Sequence, residues 1–547
     1  MAGRFFPWGL LSVLCLTFML VFLVYPLGTV MLSSLRGPEG DLSLQGFVIF
    51  LTEGRYLEAL LNSVLLGAVV TITATLVGAP LAFLTARYEI PLKSIVVLLP
   101  LTVLIVPEVI AAQAWLMVFG NNGVVTRFLL DLGLPAPRFY GWFGLILVMT
   151  LIYYVHIYLA TLAALRGFDH QLEEAGQSLG TSPFMTRLKV LFPAIAPPIL
   201  SGGLVVFTLV VGNFAVSITL GHGLPLLSVM TYRSFISEMG GNPVMQSTLA
   251  TVSISLVALV LFLQKRVVER RNYQMTQGRP GNTRLIRGAS AAVLATGVAF
   301  VTAMSLLPLL LVLIGSITKS RGPVMHWGEY SMRSLNRVWD FGGDVIINSL
   351  TFATQATFFG VLFGALASFL LIKKRSRVTG LLDYLLLLPL TISGTILGIA
   401  LVQGFNTGLV VLTGTPAIMI LAYMVRRLPF SVKNASNNLY GIPDSLEEAS
   451  ISLGVPPVKT ALRVILPLMA PGLAAAAILM WVTTIAELSA SVVVYSAGQE
   501  TLPIQIFRLI DSDLMGQASA YGLTVISIIL LPIFLAVRFL NLRLFTS

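Results

Sequence analysis

The sequence predicts an all-α polytopic membrane protein with about 12 transmembrane helices in two parallel six-helix repeats, each carrying a short helix on its cytoplasmic side. Of 547 residues, 56% are hydrophobic and only 10% charged, and mean hydropathy is +0.91. No water-soluble fold can hide such a composition. Apolar runs long enough to cross roughly 30 Å of hydrocarbon as helix recur along the chain. One polar device is written twice: Glu173-Glu174-Ala175-Gly176 with Gly180 and Pro193 answers Glu447-Glu448-Ala449-Ser450 with Gly454 and Pro467. The differences 448 − 174, 454 − 180 and 467 − 193 all equal 274, which implies a duplicated unit.

The apolar runs begin near Trp8, Ala59, Lys93, Gly141, Pro193 and Gln246, and again near Gly288, Ile346, Leu381, Gly408, Pro467 and Ser519. The run from Gly408 to Met424 is short. The first, from Pro7 to about Leu35, is too long for a signal-peptide core and lacks a small-residue cleavage site, so an uncleaved span is expected. Cys15 is the single cysteine, which leaves no disulfide framework or cysteine metal cage and is expected to be a buried apolar thiol. Asn62-Ser63 answers Asn348-Ser349 at an offset of 286, and Leu99-Pro100-Leu101-Thr102 answers Leu388-Pro389-Leu390-Thr391 at 289. The second half is therefore shorter before the motif, and the missing piece corresponds to the segment around Gly120 to Arg138. Six spans return the chain to its starting side, so the repeats are parallel rather than inverted. Residues 1–265 form the first repeat, 266–287 a polar linker and 288–547 the second.

Orientation follows from lysine and arginine in short loops. Lys265, Arg266, Arg270, Arg271, Arg279, Arg284 and Arg287 crowd the central connection, and Lys373, Lys374, Arg375 and Arg377 follow the eighth span. Both belong in the cytoplasm. Counting spans puts the two Glu-Glu-Ala segments and both termini (Arg4; Arg538, Arg543) on the same side. The net charge of +11 is spread over these flanks, which argues against nucleic acid as a partner and for membrane lipid.

Within the second copy, Asp444-Ser445-Leu446-Glu447 predicts a capping-box start, Leu446, Ala449 and Leu453 share a face, and Gly454 suits a left-handed stop before Pro456-Pro457. A second short helix with Lys459 and Arg463 precedes the span that begins at Pro467. The first copy repeats the plan with Leu172, Ala175, Leu179, Gly180 and Pro183. The small pairs Ala175-Gly176 and Ala449-Ser450 suggest close approach by a partner's groove.

These segments resemble the signature of the permease subunits of type I binding-protein-dependent ABC importers: Glu-Ala-Ala, three residues, Gly, nine residues, then Ile-x-Leu-Pro. Here the pattern reads Glu174-Ala175-Gly176, Gly180, Val190-x-Phe192-Pro193 and Glu448-Ala449-Ser450, Gly454, Val464-x-Leu466-Pro467. The resemblance covers essentially the whole chain and implies a fused two-half permease of the bacterial inner membrane. Each loop would be a coupling helix, with Glu173, Glu174, Ala175, Gly176 and Gly180, or Glu447, Glu448, Ala449, Ser450 and Gly454, facing a homodimer of separate ATPase subunits. A periplasmic or lipid-anchored solute-binding protein would deliver the solute, and no cofactor is expected on this chain.

Ala486-Glu487-Leu488-Ser489-Ala490, Gln499-Glu500-Thr501-Leu502 and Gln517-Ala518-Ser519-Ala520 look like the fused permeases of ferric-iron importers, although thiamine and aminophosphonate permeases share the architecture. Carboxylates at membrane depth usually face a cavity and suit a hard trivalent cation. Glu108, Glu487, Ser489 and Ser491 are therefore the candidate pathway residues, with structural bonding to backbone at a helix break as the rival reading for both acids. His156, His170, His222 and His326 make no metal-binding spacing, and the chain has no Gly-x-x-x-x-Gly-Lys-Ser/Thr loop for ATP. An ion-gradient-driven secondary transporter is the rival function, but its basic signature between the second and third spans is missing from Ala86-Arg87-Tyr88-Glu89-Ile90-Pro91.

Overall fold

The computed structural model describes residues 6–37, 40–89, 97, 100, 102–236, 243–270, 284–285, 289–390, 392–408 and 410–539. Lys93, Leu99, Leu101, Thr391, most of the linker with Arg271, Arg279 and Arg287, and the chain ends with Arg4 and Arg543 lie outside the described residues.

The described residues are mostly helical. Helix α1 runs Trp8–Ser33 and α2 Gly54–Arg87. After Pro107 come α3 (Glu108–Phe119), α4 (Trp142–Gly167) and the short α5 (Gln171–Ser178). Helix α6 spans Pro183–Val211, followed by α7 (Ala215–Leu220), α8 (Leu227–Ile236) and α9 (Val244–Gln264). In the second half α10 (Thr296–Ile317) leads to a hairpin of β1 (Thr318–Arg321) and β2 (Val324–Tyr330), then to α11 (Gly343–Lys373). Helices α12 (Arg377–Leu387), α13 (Gly394–Phe405), α14 (Pro416–Tyr440) and α15 (Asp444–Ser452) follow. The half closes with α16 (Pro457–Ile485), α17 (Ser491–Val494), α18 (Leu502–Asp511) and α19 (Met515–Phe539).

Among the described residues, ten single helices are long and apolar enough to cross a membrane, or 11 with the bent pair Arg377–Leu390 and Gly394–Phe405. Two runs depart from the sequence reading. The ninth run bends by 115° between Arg377–Leu390, which ends in the 3-10 turn Leu388–Leu390, and Gly394–Phe405. The tenth helix begins at Pro416, eight positions after Gly408, and runs past Met424 to Tyr440, because Arg426, Arg427 and Lys433 interrupt its hydropathy without interrupting its helix.

The second short helix of each loop does not stop at the proline before the span. It runs on through a π-turn, Arg187–Leu191 or Ala461–Ile465, that ends two residues before Pro193 or Pro467. A proline cannot donate to the i−4 carbonyl, and the wider turn relieves its ring's clash there. Leu20–Val24 before Pro26 in α1 is a third case.

The chain divides into two compact units drawn from both sequence repeats: Met1–Thr52, Thr231–Thr251 and Ser331–Ser547 in one, and Glu53–Met230 and Val252–Tyr330 in the other. In the first, α1 packs on α12 and α13; in the second, α10 packs on α3. Each opening helix thus lies with elements of the other repeat. Sequence pattern cannot distinguish two alike grooves, and hydropathy says nothing about which one a uniformly apolar helix enters.

Small residues line much of the buried face of α2, with Leu66, Val70 and Leu81 among them. On α2, Leu61, Leu65, Ile72 and Leu76 are exposed while Ala59, Ser63, Gly67, Ala74 and Gly78 are buried. Lipid offers no hydrophobic drive for pairing, so close backbone approach supplies the attraction. Two close approaches recur at one offset, 364 − 78 = 286: a Cβ on Gly78 would lie 2.5 Å from the Tyr154 carbonyl oxygen, and one on Gly364 would lie 2.0 Å from Ser431 Oγ. Gly78→Val is expected to cost about 1–3 kcal/mol by overpacking, read as a lower yield of folded protein in detergent. An unchanged yield and melting temperature would contradict this packing.

Candidate functional site

Each duplicated loop builds one geometry from its own residues. Leu179 N donates to the Ala175 carbonyl (3.1 Å) and Thr181 N to Gly176 (3.3 Å); Leu453 N donates to Ala449 (3.0 Å) and Val455 N to Ser450 (3.2 Å). The closing glycines take φ +86° at Gly180 and +84° at Gly454, the left-handed cap expected of them.

The start differs from the expected capping box. Pro443 is the N-cap of α15 and makes no side-chain cap. Asp444 and Glu447 turn instead to the end of α11: Lys373 bonds Asp444 and also the Ile442 carbonyl (2.8 Å), and Lys374 Nζ lies 2.6 Å from Glu447. The Lys373 hydrogen bond holds the exposed Asp444 carboxyl below its ordinary range. In the first copy Arg87, the last residue of α2, sits 3.1 Å from Glu173. His170 Nδ1 lies 2.8 Å from Glu173 and 3.0 Å from Arg87, donating to one or accepting from the other according to its tautomer. Lysine or arginine at a helix C-terminus also meets the negative end of the helix dipole.

The first glutamate of each loop is therefore buried, with Glu173 5% and Glu447 7% exposed, while Glu174, Glu448, Ala175 and Ala449 face outward. The third position differs from expectation. A Cβ on Gly176 would meet Thr186 Cγ2 at 2.9 Å, and Ser450 Oγ lies 2.9 Å from Thr460 Oγ1, so small size there serves packing on the loop's own second helix. What each loop presents is a bare leucine, Leu179 at 87% and Leu453 at 85% exposure.

The candidate pathway acids fall in two polar nodes, one per unit. Glu108 opens α3 and accepts from Tyr153 Oη and Asn213 Nδ2, both at 2.7 Å; Asn213 Oδ1 accepts from Val216 N (2.9 Å) and so caps α7. Glu487 is 3% exposed. It accepts from Arg426 Nε (2.8 Å), from Arg427 Nη2 and from Ala490 N (3.1 Å), the last capping the turn into α17. Ser491 is fully buried, bonding Tyr423 Oη (2.7 Å) and the Glu487 carbonyl, and Ser489 is buried beside Gly394.

The nodes occupy equivalent places with the chemistry exchanged. The differences 487 − 213 and 427 − 153 both give 274, pairing Glu487 with Asn213 and Arg427 with Tyr153. Helices α3 and α13 are each 12 residues long and pair Glu108 with Gly394, where a Cβ would lie 2.6 Å from Arg426 Nη1. Gly394 therefore makes room for the guanidinium. Sequence reasoning missed Arg426 and Arg427, although adjacent arginines in an apolar stretch are a signal of an internal partner. Tyr154 and Tyr158 serve packing, with Tyr154 Oη 2.8 Å from Ser305 Oγ and Tyr158 donating to the Val97 carbonyl at 3.3 Å. Among the described residues, no three of His, Cys, Asp and Glu come together to hold a metal ion.

Residues 74–274 and 360–545 each match the family described as binding-protein-dependent transport system inner membrane component. The ferric transport system permease protein FbpB of Actinobacillus pleuropneumoniae is 24% identical over 97% of this chain and 78% of its own length. A probable ABC transporter permease protein, y4fN, of Sinorhizobium fredii is 27% identical over 85% and 84%. The putative 2-aminoethylphosphonate transport system permease protein PhnV of Salmonella paratyphi A is 28% identical over 45% of this chain and 92% of its own. The chain therefore belongs to the binding-protein-dependent transport system inner membrane component family, carries the family domain twice in one polypeptide, and is an ABC importer permease rather than an enzyme.

Proposed function

We propose that this permease carries ferric iron across the bacterial inner membrane, with two separate ATPase subunits docked on the loops at α5 and α15 and a solute-binding protein delivering iron to the opposite face. The observation that carries the docking is the loop itself, built twice with one glutamate turned in and a glutamate, an alanine and a leucine turned out. The excess of lysine and arginine around both loops supports a cytoplasmic position for them, the linker and the termini. For the cargo, the relatives named for ferric transport align with both halves, whereas those named for 2-aminoethylphosphonate align with 45% of the chain. That second reading keeps its place through this half-chain likeness.

Proteoliposomes holding the permease with its ATPase subunits, ATP enclosed, and iron-55 loaded on the solute-binding protein outside test the reading. Iron uptake that requires enclosed ATP is expected. Uptake driven by an ion gradient without ATP would overturn the importer assignment. ATP-driven uptake of 2-aminoethylphosphonate but not iron would overturn the cargo.

A further inference from the structure

Helices α2 and α11 are fastened at both ends, and the fastenings match between the repeats. At one end Arg87 reaches Glu173, and Lys374, directly after α11, reaches Glu447, so each helix end is pinned to the buried glutamate of its loop. At the other end Asn62 Nδ2 donates to the Pro225 carbonyl (3.2 Å), and Asn348 Nδ2 donates to those of Gly498 (3.0 Å) and Glu500 (3.2 Å). The neighbouring serines accept the first N–H of the next helix, Leu227 N on Ser63 at 2.9 Å for α8 and Leu502 N on Ser349 at 2.7 Å for α18. From Asn62 to Arg87 is 25 positions, and from Asn348 to Lys374 is 26. At 1.5 Å per residue that separates the fastenings by about 38 Å, more than the roughly 30 Å hydrocarbon core, so they lie on opposite membrane faces.

We propose that α2 and α11 are tie rods that carry motion between the face receiving the solute-binding protein and the loop receiving the ATPase, with Asn62, Asn348, Arg87 and Lys374 as positioning residues. A helix of continuous backbone bonds resists stretching, so a displacement at one fastened end must appear at the other or break a fastening. Both helices run unbroken, α2 even through Pro80. Their small-residue faces at Gly78 and Gly364 lock them against α4 and α14, which leaves motion along the rod with its partner rather than bending away from it. The division of labour in each loop follows: Glu173 and Glu447 hold the rod, and Glu174 and Glu448 are left for the docking subunit.

The inference rests on the importer reading above, and the experiment separates the two. The full complex in lipid nanodiscs is assayed for ATPase activity with and without the iron-loaded solute-binding protein. For Asn348→Leu and Asn62→Leu the expected result is unchanged assembly and basal ATPase activity, with stimulation by the loaded binding protein reduced about five- to tenfold, the size of an ordinary coupling between sites. Lys374→Glu should lose stimulation likewise, and Lys374→Glu with Glu447→Lys should regain most of it, which a merely structural role for either residue would not produce. Stimulation at the parental level in both asparagine variants, or no regain in the reversed pair, would overturn the tie rods. Absence of stimulation and uptake in the parental complex would instead overturn the importer reading.

Discussion

Valine at both Gly180 and Gly454 is expected to lower ATP-driven uptake at least tenfold while the protein still inserts and folds. Both residues hold φ near +85°, and nothing lies within 4 Å of a Cβ built at either. The cost is therefore backbone strain alone, about 1–2 kcal/mol per residue for the left-handed conformation and more for a β-branched side chain. Relief of that strain must unwind the turn that aims Leu179 and Leu453 outward. Asparagine, which tolerates the left-handed region, should retain most of the activity at the same positions. Parental uptake by the double valine variant would show that the turn transmits nothing.

Glu487→Gln is expected to destabilise its unit by up to about 3–5 kcal/mol, because the buried carboxylate that pairs the half-buried guanidinium groups of Arg426 and Arg427 loses its charge. The readout is loss of the folded, detergent-stable protein before any assay of transport. This changes how the candidate pathway residues are tested. Both Glu487 oxygens are engaged within the unit, so direct ligation of cargo would require opening an ion pair. The partners described for Glu108, Tyr153 and Asn213, carry no charge. At those two contacts Glu108→Gln should cost about 1–3 kcal/mol, and a fall in iron uptake by that variant at normal yield would place Glu108 on the path. A normal melting temperature for Glu487→Gln would contradict the node as described.

The loops were legible because their chemistry is local. A left-handed glycine, a proline after it and a fixed offset of 274 state the turn twice without help from tertiary structure. The roles of the glutamates were not legible, since nothing near Glu447 in sequence says that Lys374, 73 positions earlier, will bury it. The small residues Gly176 and Ser450 were legible as small but not as facing Thr186 and Thr460. Hydropathy located the spans that are uniformly apolar and misplaced the one carrying Arg426 and Arg427, where two charges are matched by a carboxylate from the break between α16 and α17. The exchange of opening helices between the repeats is invisible to any pattern, because duplicated grooves present the same pattern twice.

The central claim is that the two loops are the docking points of two ATPase subunits, and cross-linking tests it most directly. Cys15 is the chain's one cysteine and is buried, so Cys15→Ser gives a background on which Leu179→Cys or Leu453→Cys adds the sole thiol at an exposed tip. In the assembled, transport-competent complex, a short bifunctional reagent should join each variant to one ATPase subunit and the doubly substituted chain to two. Failure of both positions to cross-link, in a complex that still imports with ATP, would contradict the account.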